Sequence, residues 1–387
     1  MTYKYYTLKE IEQQPELWLK TYDVLIAQSK SIIGFLDEVL PTIQSEVIFT
    51  GAGSSFFIGE MVAATFQGNT GISSKAISST EIVTHPELYI NPAINTLMVS
   101  FARSGNSPES VAAVELANRI SNKVAHLIIT CNKEGELARL SYKNKKYVLV
   151  MPEEANDKSL AMTSSVTTMA LSVLLISQLN KINELKEQIE KVSNYAQYII
   201  STYKSELENI AKLNIKRAVF LGSGPNLGVA RESHLKLQEL TDGKVICKFD
   251  SFLGLRHGPK VVVDDETLLV YLFSNDEYVL QYEKDLVESM KKGITPLFTL
   301  GVSEKKNTSL GLDLSIKLPV EFFGIEEGFL TLCNLIPAQL FAYYKSIENG
   351  LNPDAPSNNG TIHRVVQGVN IYPFEKNKLQ ESEIEKV

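Results

Sequence analysis

Apolar side chains recur at helical spacing between residues 7 and 40 (Leu8, Ile11, Leu17, Leu19, Val24, Leu25, Ile32, Ile33, Leu36, Leu40). Pro15 interrupts them, so the pattern predicts short helices ahead of the first strand, with Trp18 packed among them. Beyond them short apolar runs alternate with helical patterns. Strands are predicted at 45–50, 94–101, 124–131 and 146–151, with helices opening near Phe56, at Pro108 and near Thr163. The helix over 166–179 is apolar nearly all round and belongs in the core or in a subunit interface. Residues 181–214 are helical and charged (Lys181, Glu184, Lys186, Glu187, Glu190), the character of a connector between two lobes. Then the alternation restarts: strands at 217–222, 267–274, 295–302 and 314–318, and a long apolar helix over 328–347 kinked at Pro337. Each falls about 165–175 residues after its counterpart, which marks a duplicated α/β unit and two similar lobes.

The stretch from Val99 to Ser110, V-S-F-A-R-S-G-N-S-P-E-S, breaks from a buried strand into small polar residues and opens a helix at Pro108. Ser104, Gly105, Asn106 and Ser107 at a helix N-terminus offer backbone N–H groups, hydroxyls and the positive end of the helix dipole, with Arg103 as a fixed cation. Two readings stand side by side: an anion cradle, or an ordinary turn capped by Ser107. The corresponding stretch of the second half, Phe273-Ser274-Asn275-Asp276-Glu277, carries two carboxylates that would repel a phosphate, so any cradle belongs to the first lobe. Gly51-Ala52-Gly53-Ser54-Ser55 is a second glycine turn. Phe56 fills the position where a dinucleotide fingerprint needs a third glycine, which rejects a nicotinamide cofactor.

In the second half, Glu232, Lys236 and Glu239 stand at i, i+4 and i+7 on one helix face, either a solvated face with a salt bridge or a proton-moving cluster. His257, ahead of Gly258-Pro259, is either an acid/base group or a hydrogen-bonded structural one. A formal charge of −7 and a pI near 5.5 argue against a coat for nucleic acid or an anionic membrane, so an anionic substrate needs a locally positive pocket. Three widely spaced cysteines (Cys131, Cys247, Cys333) suggest neither a disulfide framework nor a metal site, and point to a reducing cytoplasm. The first ten residues carry no signal-peptide core, and no apolar run reaches the ~20 residues of a membrane span.

With these residues in hand the chain resembles the SIS (sugar isomerase) family, whose paired lobes bind phosphosugars. The isomerase part of glucosamine-6-phosphate synthase carries a G-T-S turn, an S-Q-S-G-E-T phosphate loop, an E-x-x-x-K-x-x-E helix and an H-G-P loop. Here, in the same order, stand Gly53-Ser54-Ser55, the run from Ala102 to Ser107, the run from Glu232 to Glu239, and His257-Gly258-Pro259. Within the family the phrases FARSGNSPES, LQELTDGK, RHGP and RVVQGV resemble the bacterial AgaS type, named for tagatose-6-phosphate ketose/aldose isomerase or galactosamine-6-phosphate deaminase/isomerase.

The resemblance implies an α/β fold of two tandem flavodoxin-like lobes with parallel sheets flanked by helices. We expect a helical extension over 1–44, a phosphate-binding lobe over 45–182, a connector over 183–214 and a second lobe with a C-terminal tail over 215–387. It implies that Ser54, Ser55, Ser104 and Ser107 hold the phosphate, with Arg103 where the synthase has glutamine. Thr163 falls where a sugar-contacting serine occurs, and Lys236 belongs to the substrate site. Glu239 matches the carboxylate that shuttles a proton between C1 and C2, a task that suits a carboxyl raised toward neutrality by burial. His257 matches the ring-opening histidine that reaches in from a neighbouring subunit, which implies a homodimer. The chain departs from the synthase twice. It begins Met1-Thr2, with about 45 residues before the first lobe, so the resemblance gives it no expected means of making ammonia from glutamine; and its tail from Asn358 to Arg364 has no counterpart of the synthase's imine-forming lysine. In that region His363 is either a partner in ammonia transfer or a surface residue. The expected reaction takes galactosamine 6-phosphate to tagatose 6-phosphate and ammonia with no metal or organic cofactor. Its rivals are a plain ketose/aldose isomerase, a glucosamine-6-phosphate deaminase and a phosphosugar sensor. Against the sensor stand Glu239 and His257 and the lack of a basic helix-turn-helix segment.

Overall fold

The computed structural model describes residues 3–305, 310–357 and 360–375; Met1, Thr2, Asn358 and Asn359 of the stretches named above lie outside them. Two helices lead, α1 (Tyr6–Glu12) and α2 (Gln14–Val39). The first lobe follows as β1 (Glu46–Gly51), α3 (Ser54–Thr70), β2 (Ser73–Ser78), α4 (Ser79–Thr84), α5 (Pro86–Tyr89), β3 (Thr96–Ala102), α6 (Pro108–Ile120), β4 (Val124–Thr130), α7 (Glu136–Arg139), β5 (Lys146–Val150) and α8 (Ser164–Ile176). Helix α9 (Lys186–Ala211) leads to the second lobe: β6 (Arg217–Gly222), α10 (Pro225–Leu240), β7 (Ile246–Asp250), α11 (Phe252–Leu255), β8 (Thr267–Leu272), α12 (Glu277–Met290), β9 (Phe298–Lys305), β10 (Leu314–Leu318) and α13 (Glu327–Glu348).

Both sheets are parallel and five-stranded, in the orders β2-β1-β3-β4-β5 and β10-β9-β8-β6-β7. Each reads as 2-1-3-4-5 of its own lobe, the flavodoxin-like order, so the predicted duplication and fold class are present. Even the first turns agree: Gly53 has φ 56° and ψ −130°, its counterpart Gly224 φ 54° and ψ −128°.

Strands β2 and β7, absent from the sequence expectation, are short, half-exposed and edge-placed, so they lack the continuous apolar run that marks β1, β3 and β4. Pro15 does not interrupt a helix but sits in the first turn of the 26-residue α2, where its missing N–H leaves no bond unmade. Trp18 is buried and donates from Nε1 to Thr167 Oγ1 at 3.0 Å, joining α2 to α8, every residue of which is buried. Helix α9 is more than a connector. Its apolar face (Ile189, Val192, Ala196, Ile199) is buried and it packs against α13 and α2. Helix α10 crosses α3 between the lobes, and at the crossing a Cβ on Gly228 would lie 2.5 Å from the Met61 backbone nitrogen, so only glycine permits this approach. Among the described residues no single helix is long and apolar enough to cross a membrane.

Candidate active site between the lobes

In the first sheet β1 and β3 are neighbours whose chains continue to opposite sides, so the loops that follow them diverge from the switch point where ligands of such sheets bind. The loop after β1 starts α3 with Ser54 and Ser55, both buried. After β3 runs the Arg103–Ser107 loop, and a turn beyond β4 holds it rigid. Asn132 Nδ2 donates to Ser104 O at 2.8 Å, Glu136 N to Asn106 Oδ1 at 2.9 Å and Leu137 N to Gly105 O at 3.0 Å. Gly105 has φ 73°, a backbone conformation that strains any side chain, and a Cβ there would crowd Gly135 Cα at 3.1 Å. Ser107 occupies the N-cap of α6, yet its hydroxyl makes no cap hydrogen bond. The ordinary-turn reading, which needed that bond, therefore loses its main support. Ser104 Oγ accepts from Asn106 N at 3.3 Å.

Helix α10 brings the second lobe's chemistry to this cradle. Lys236 Nζ donates to Ser54 Oγ at 2.9 Å and to Glu239 Oε2 at 2.6 Å, and lies 3.3 Å from Glu232 Oε1. The side chains of Lys236 and Glu232 are 1% and 0% exposed and that of Glu239 24%, so the solvated-face reading fails. Burial opposes the Lys236 charge, but Glu232 and Glu239 together outweigh it and the lysine pKa is raised. Burial pushes Glu232 up to about 7, against the pull of Lys236 and with the Glu239 charge adding to the rise. Glu239 stands half-buried at the open end of the triad, against the ammonium.

Arg103 is 6% exposed and bridges two carbonyls, Nη1 to Ser159 O at 3.0 Å and Nη2 to Arg364 O at 3.1 Å. Burial lowers its pKa; the Asp157 and Glu239 charges oppose that and the Arg364 charge adds to it, and a guanidinium remains a cation throughout. Thr163 caps α8 in backbone position but its hydroxyl is buried and donates to Asp157 Oδ1 at 3.2 Å, so Thr163 faces a carboxylate and not open space. Asp157 also accepts from the backbone N–H groups of Thr163, Ser164 and Ser165 and from both serine hydroxyls. Asp157 and the N-terminal Glu10 were not singled out from sequence; for Asp157 the signal present was the polar run over 156–159 ahead of a nearly all-apolar helix.

His257 lies on the turn after α11 with an exposed side chain. Among the described residues its ring has no hydrogen bond, ion pair or ring contact. His363 is also exposed, on the tail segment that Arg364 ties down through Nε to Asp157 O at 3.1 Å and Nη2 to Asn156 Oδ1 at 2.7 Å. Among the described residues no group of three or more His, Cys, Asp or Glu side chains is placed to hold a metal ion.

The second lobe's counterpart of the cradle is closed to anions. Asp276 takes the place of Ser107 and its carboxylate accepts from Tyr278 N at 2.7 Å and Val279 N at 3.1 Å, while the buried Glu283 accepts from Ser274 N at 2.9 Å. Burial raises Glu283 to about 7 despite that bond. An acid raised from 4.5 to about 7 holds more protons folded than unfolded between those values, so the stability it contributes falls as pH rises through that window. We expect the thermal midpoint to fall between about pH 5 and pH 8, and Glu283→Gln to flatten the fall. A midpoint that rises over that range would contradict the burial assigned to Glu232 and Glu283.

Residues 43–179 match the model of the SIS domain family. The chain is 40% identical over 376 residues to D-galactosamine-6-phosphate deaminase AgaS of Shewanella sp. (strain ANA-3), covering 96% of this chain and 93% of that protein. Its fold is similar to the crystal structure of tagatose-6-phosphate ketose/aldose isomerase from Escherichia coli, with a TM-score of 0.88, 37% identity, and 96% and 98% of the two chains covered. It is also similar to glucosamine-6-phosphate deaminase from Thermotoga maritima, with a TM-score of 0.72, 25% identity, and 93% and 99% covered. With the Arg103–Ser107 loop at the first lobe's switch point and the buried Glu-Lys-Glu face opposite, the chain belongs to the SIS sugar isomerase family, in its AgaS branch.

Proposed function

We propose that this chain isomerises galactosamine 6-phosphate between C1 and C2 and releases ammonia, giving tagatose 6-phosphate. The observation that carries the reading is the Lys236–Glu239 pair, held by Ser54 beside the Arg103–Ser107 loop: a carboxylate with a fixed orientation next to an anion cradle. The relatives' names supply the substrate class.

In this mechanism Ser54, Ser55, Ser104 and Ser107, with the Arg103 charge, bind the phosphate at the far end of an open-chain sugar. Glu239 removes the C2 proton while the C1 carbonyl oxygen gains one, which leaves a C1–C2 enolamine. Glu239 then returns its proton to C1, the O1 hydroxyl stays, and C2 becomes an imine. Water adds to C2, and the carbinolamine expels ammonia to leave the ketone. One base serving both carbons on one face is what a single carboxylate, oriented by Lys236, can do. The Lys236 ammonium also offsets the charge that develops near O1.

His257, exposed and without a side-chain partner among the described residues, opens the sugar ring from a neighbouring copy in a homodimer, and His363 assists ammonia departure from the tail. Three free cysteines fit a reducing, cytoplasmic setting. His257→Asn should impair cyclic substrate far more than acyclic analogues; equal impairment would remove His257 from ring opening. Ser104→Ala should raise KM more than it lowers kcat, because phosphate contacts lie far from the reacting carbons and hold ground and transition states alike. A loss confined to kcat would contradict that role.

The test of the whole reading is ammonia release over a panel of hexosamine 6-phosphates. Ammonia from galactosamine 6-phosphate in preference to glucosamine 6-phosphate supports it, and the reverse preference assigns the gluco epimer. A ketose product without ammonia means a plain isomerase; neither product leaves the sensor reading.

A further inference from the structure

All three groups that donate to Glu10 lie on one two-residue segment, and that segment carries a carbonyl bound by the cradle's arginine. Glu10 sits on α1, outside both sheets, and is 4% exposed. Its Oε1 accepts from Lys158 N at 2.5 Å and Ser159 N at 3.3 Å, and its Oε2 accepts from the Ser159 hydroxyl. Ser159 O accepts from Arg103 Nη1 at 3.0 Å. The other arm of Arg103 ends on Arg364 O, and the Arg364 guanidinium returns to Asp157 O and Asn156 Oδ1. Both arms of Arg103 therefore rest, directly or through Arg364, on residues 156–159. The Asp157 carboxylate is occupied by the start of α8, which leaves Glu10 to lock residues 158 and 159. Helix α1 is itself pinned, since Asp354 accepts from Tyr6 N at 2.9 Å and Thr7 N at 2.8 Å while its carbonyl accepts from Leu160 N at 2.9 Å.

We propose that Glu10 is a positioning residue for the anion cradle, holding the Arg103 guanidinium in its binding orientation through Ser159. The N-terminal helices are then part of the site and not an appendage to the lobes. The proposal rests on the reading of the Arg103–Ser107 loop as the phosphate site. Arginine has five N–H donors, and the bonds to Ser159 and Arg364 use two, leaving the rest to face a bound anion. With Glu10 removed, the Lys158 and Ser159 N–H groups lose their acceptor, the latter on a buried residue, and the Ser159 hydroxyl keeps only its bond to Ala161 O at 3.1 Å, so the segment that aims Arg103 must rearrange. Gln is the conservative replacement: burial first, then the Asp157 charge, raises Glu10 to about 7, so its neutral form is already populated near neutral pH.

The experiment is a double-mutant cycle read by calorimetric binding of inorganic phosphate to the full chain, with KM and kcat as a second readout. Glu10→Ala should weaken phosphate binding about 10-fold and raise KM in parallel, with kcat changed less than about 3-fold, and Glu10→Gln should recover most of the loss. In an Arg103→Met background, where no side-chain donor is left for Ser159 O, Glu10→Ala should add less than about 2-fold. Ser159→Ala, which keeps the carbonyl and both backbone bonds, provides a folded substitute if Glu10→Ala does not fold; it should weaken phosphate about 3-fold, again only when Arg103 is present. Additive losses, or wild-type phosphate affinity in a folded Glu10→Ala or Ser159→Ala variant, would overturn the proposal, as would a wild type that binds no phosphate. A wild type that releases no ammonia but shows the phosphate coupling overturns the proposed reaction and leaves the positioning role standing.

Discussion

Glu239→Gln is expected to lose about 10²-fold or more in turnover with substrate binding nearly retained, a transition-state loss of about 3 kcal/mol or more. The amide keeps the shape of the side chain and can still accept from Lys236 Nζ, which stands 2.6 Å from Oε2, but it cannot take a proton from C2. The isotopic form of the test is sharper than the rate. In deuterated water the wild type should place deuterium at C1 of the ketose or wash out the C2 proton of remaining aldose, and the Gln variant should do neither. Near wild-type exchange by Glu239→Gln would move the base to another group, with His257 and His363 next in line. Glu232→Gln should matter less, because the fully buried Glu232 lies behind Lys236 and is not at the open end of the triad.

Lys236→Met should damage both folding and catalysis. The lysine stands between two carboxylates, one fully buried, and removing one partner of a buried ion pair is destabilising by about 3–5 kcal/mol. Glu232 can escape part of this by staying protonated, so the penalty should be smallest at acid pH and grow as pH rises past about 7, the value it already has beside the ammonium. Turnover should fall about 10²-fold or more, since Glu239 loses the donor that orients it and the site loses a charge opposite the developing oxyanion. Thermal midpoints at acid and alkaline pH, compared with wild type, check the first part and steady-state kinetics the second. Equal midpoints across pH together with retained turnover would show that the triad is not a working unit.

Lobe architecture was legible because it is written in local patterns. The strands at 217–222 and 314–318 end where the apolar runs end, and the restart after α9 gave the duplication before any strand order was known. Where local pattern misled, tertiary context was the cause. Strands β2 and β7 are edge strands held by one neighbour each, so their half-polar sequences carry no signature. Helix α9 reads as charged, yet the face it turns to α13 and α2 is apolar and buried.

The candidate site divides along the same line. By itself the amino-acid sequence determined the two lobes, the glycine-and-serine loops at the ends of β1 and β3, and the spacing that sets Glu232, Lys236 and Glu239 on one face of α10, because strand runs, turn residues and helical periodicity are properties of neighbouring residues. Only the tertiary structure decided that this face is buried against Ser54, that the Ser107 hydroxyl stays clear of the helix cap, and that Arg103 rests on carbonyls 56 and 261 positions away. The physical reason is that burial of a charge depends on which surface is pressed against it, and here that surface comes from the other lobe, drawn in by the crossing of α3 and α10 at Gly228.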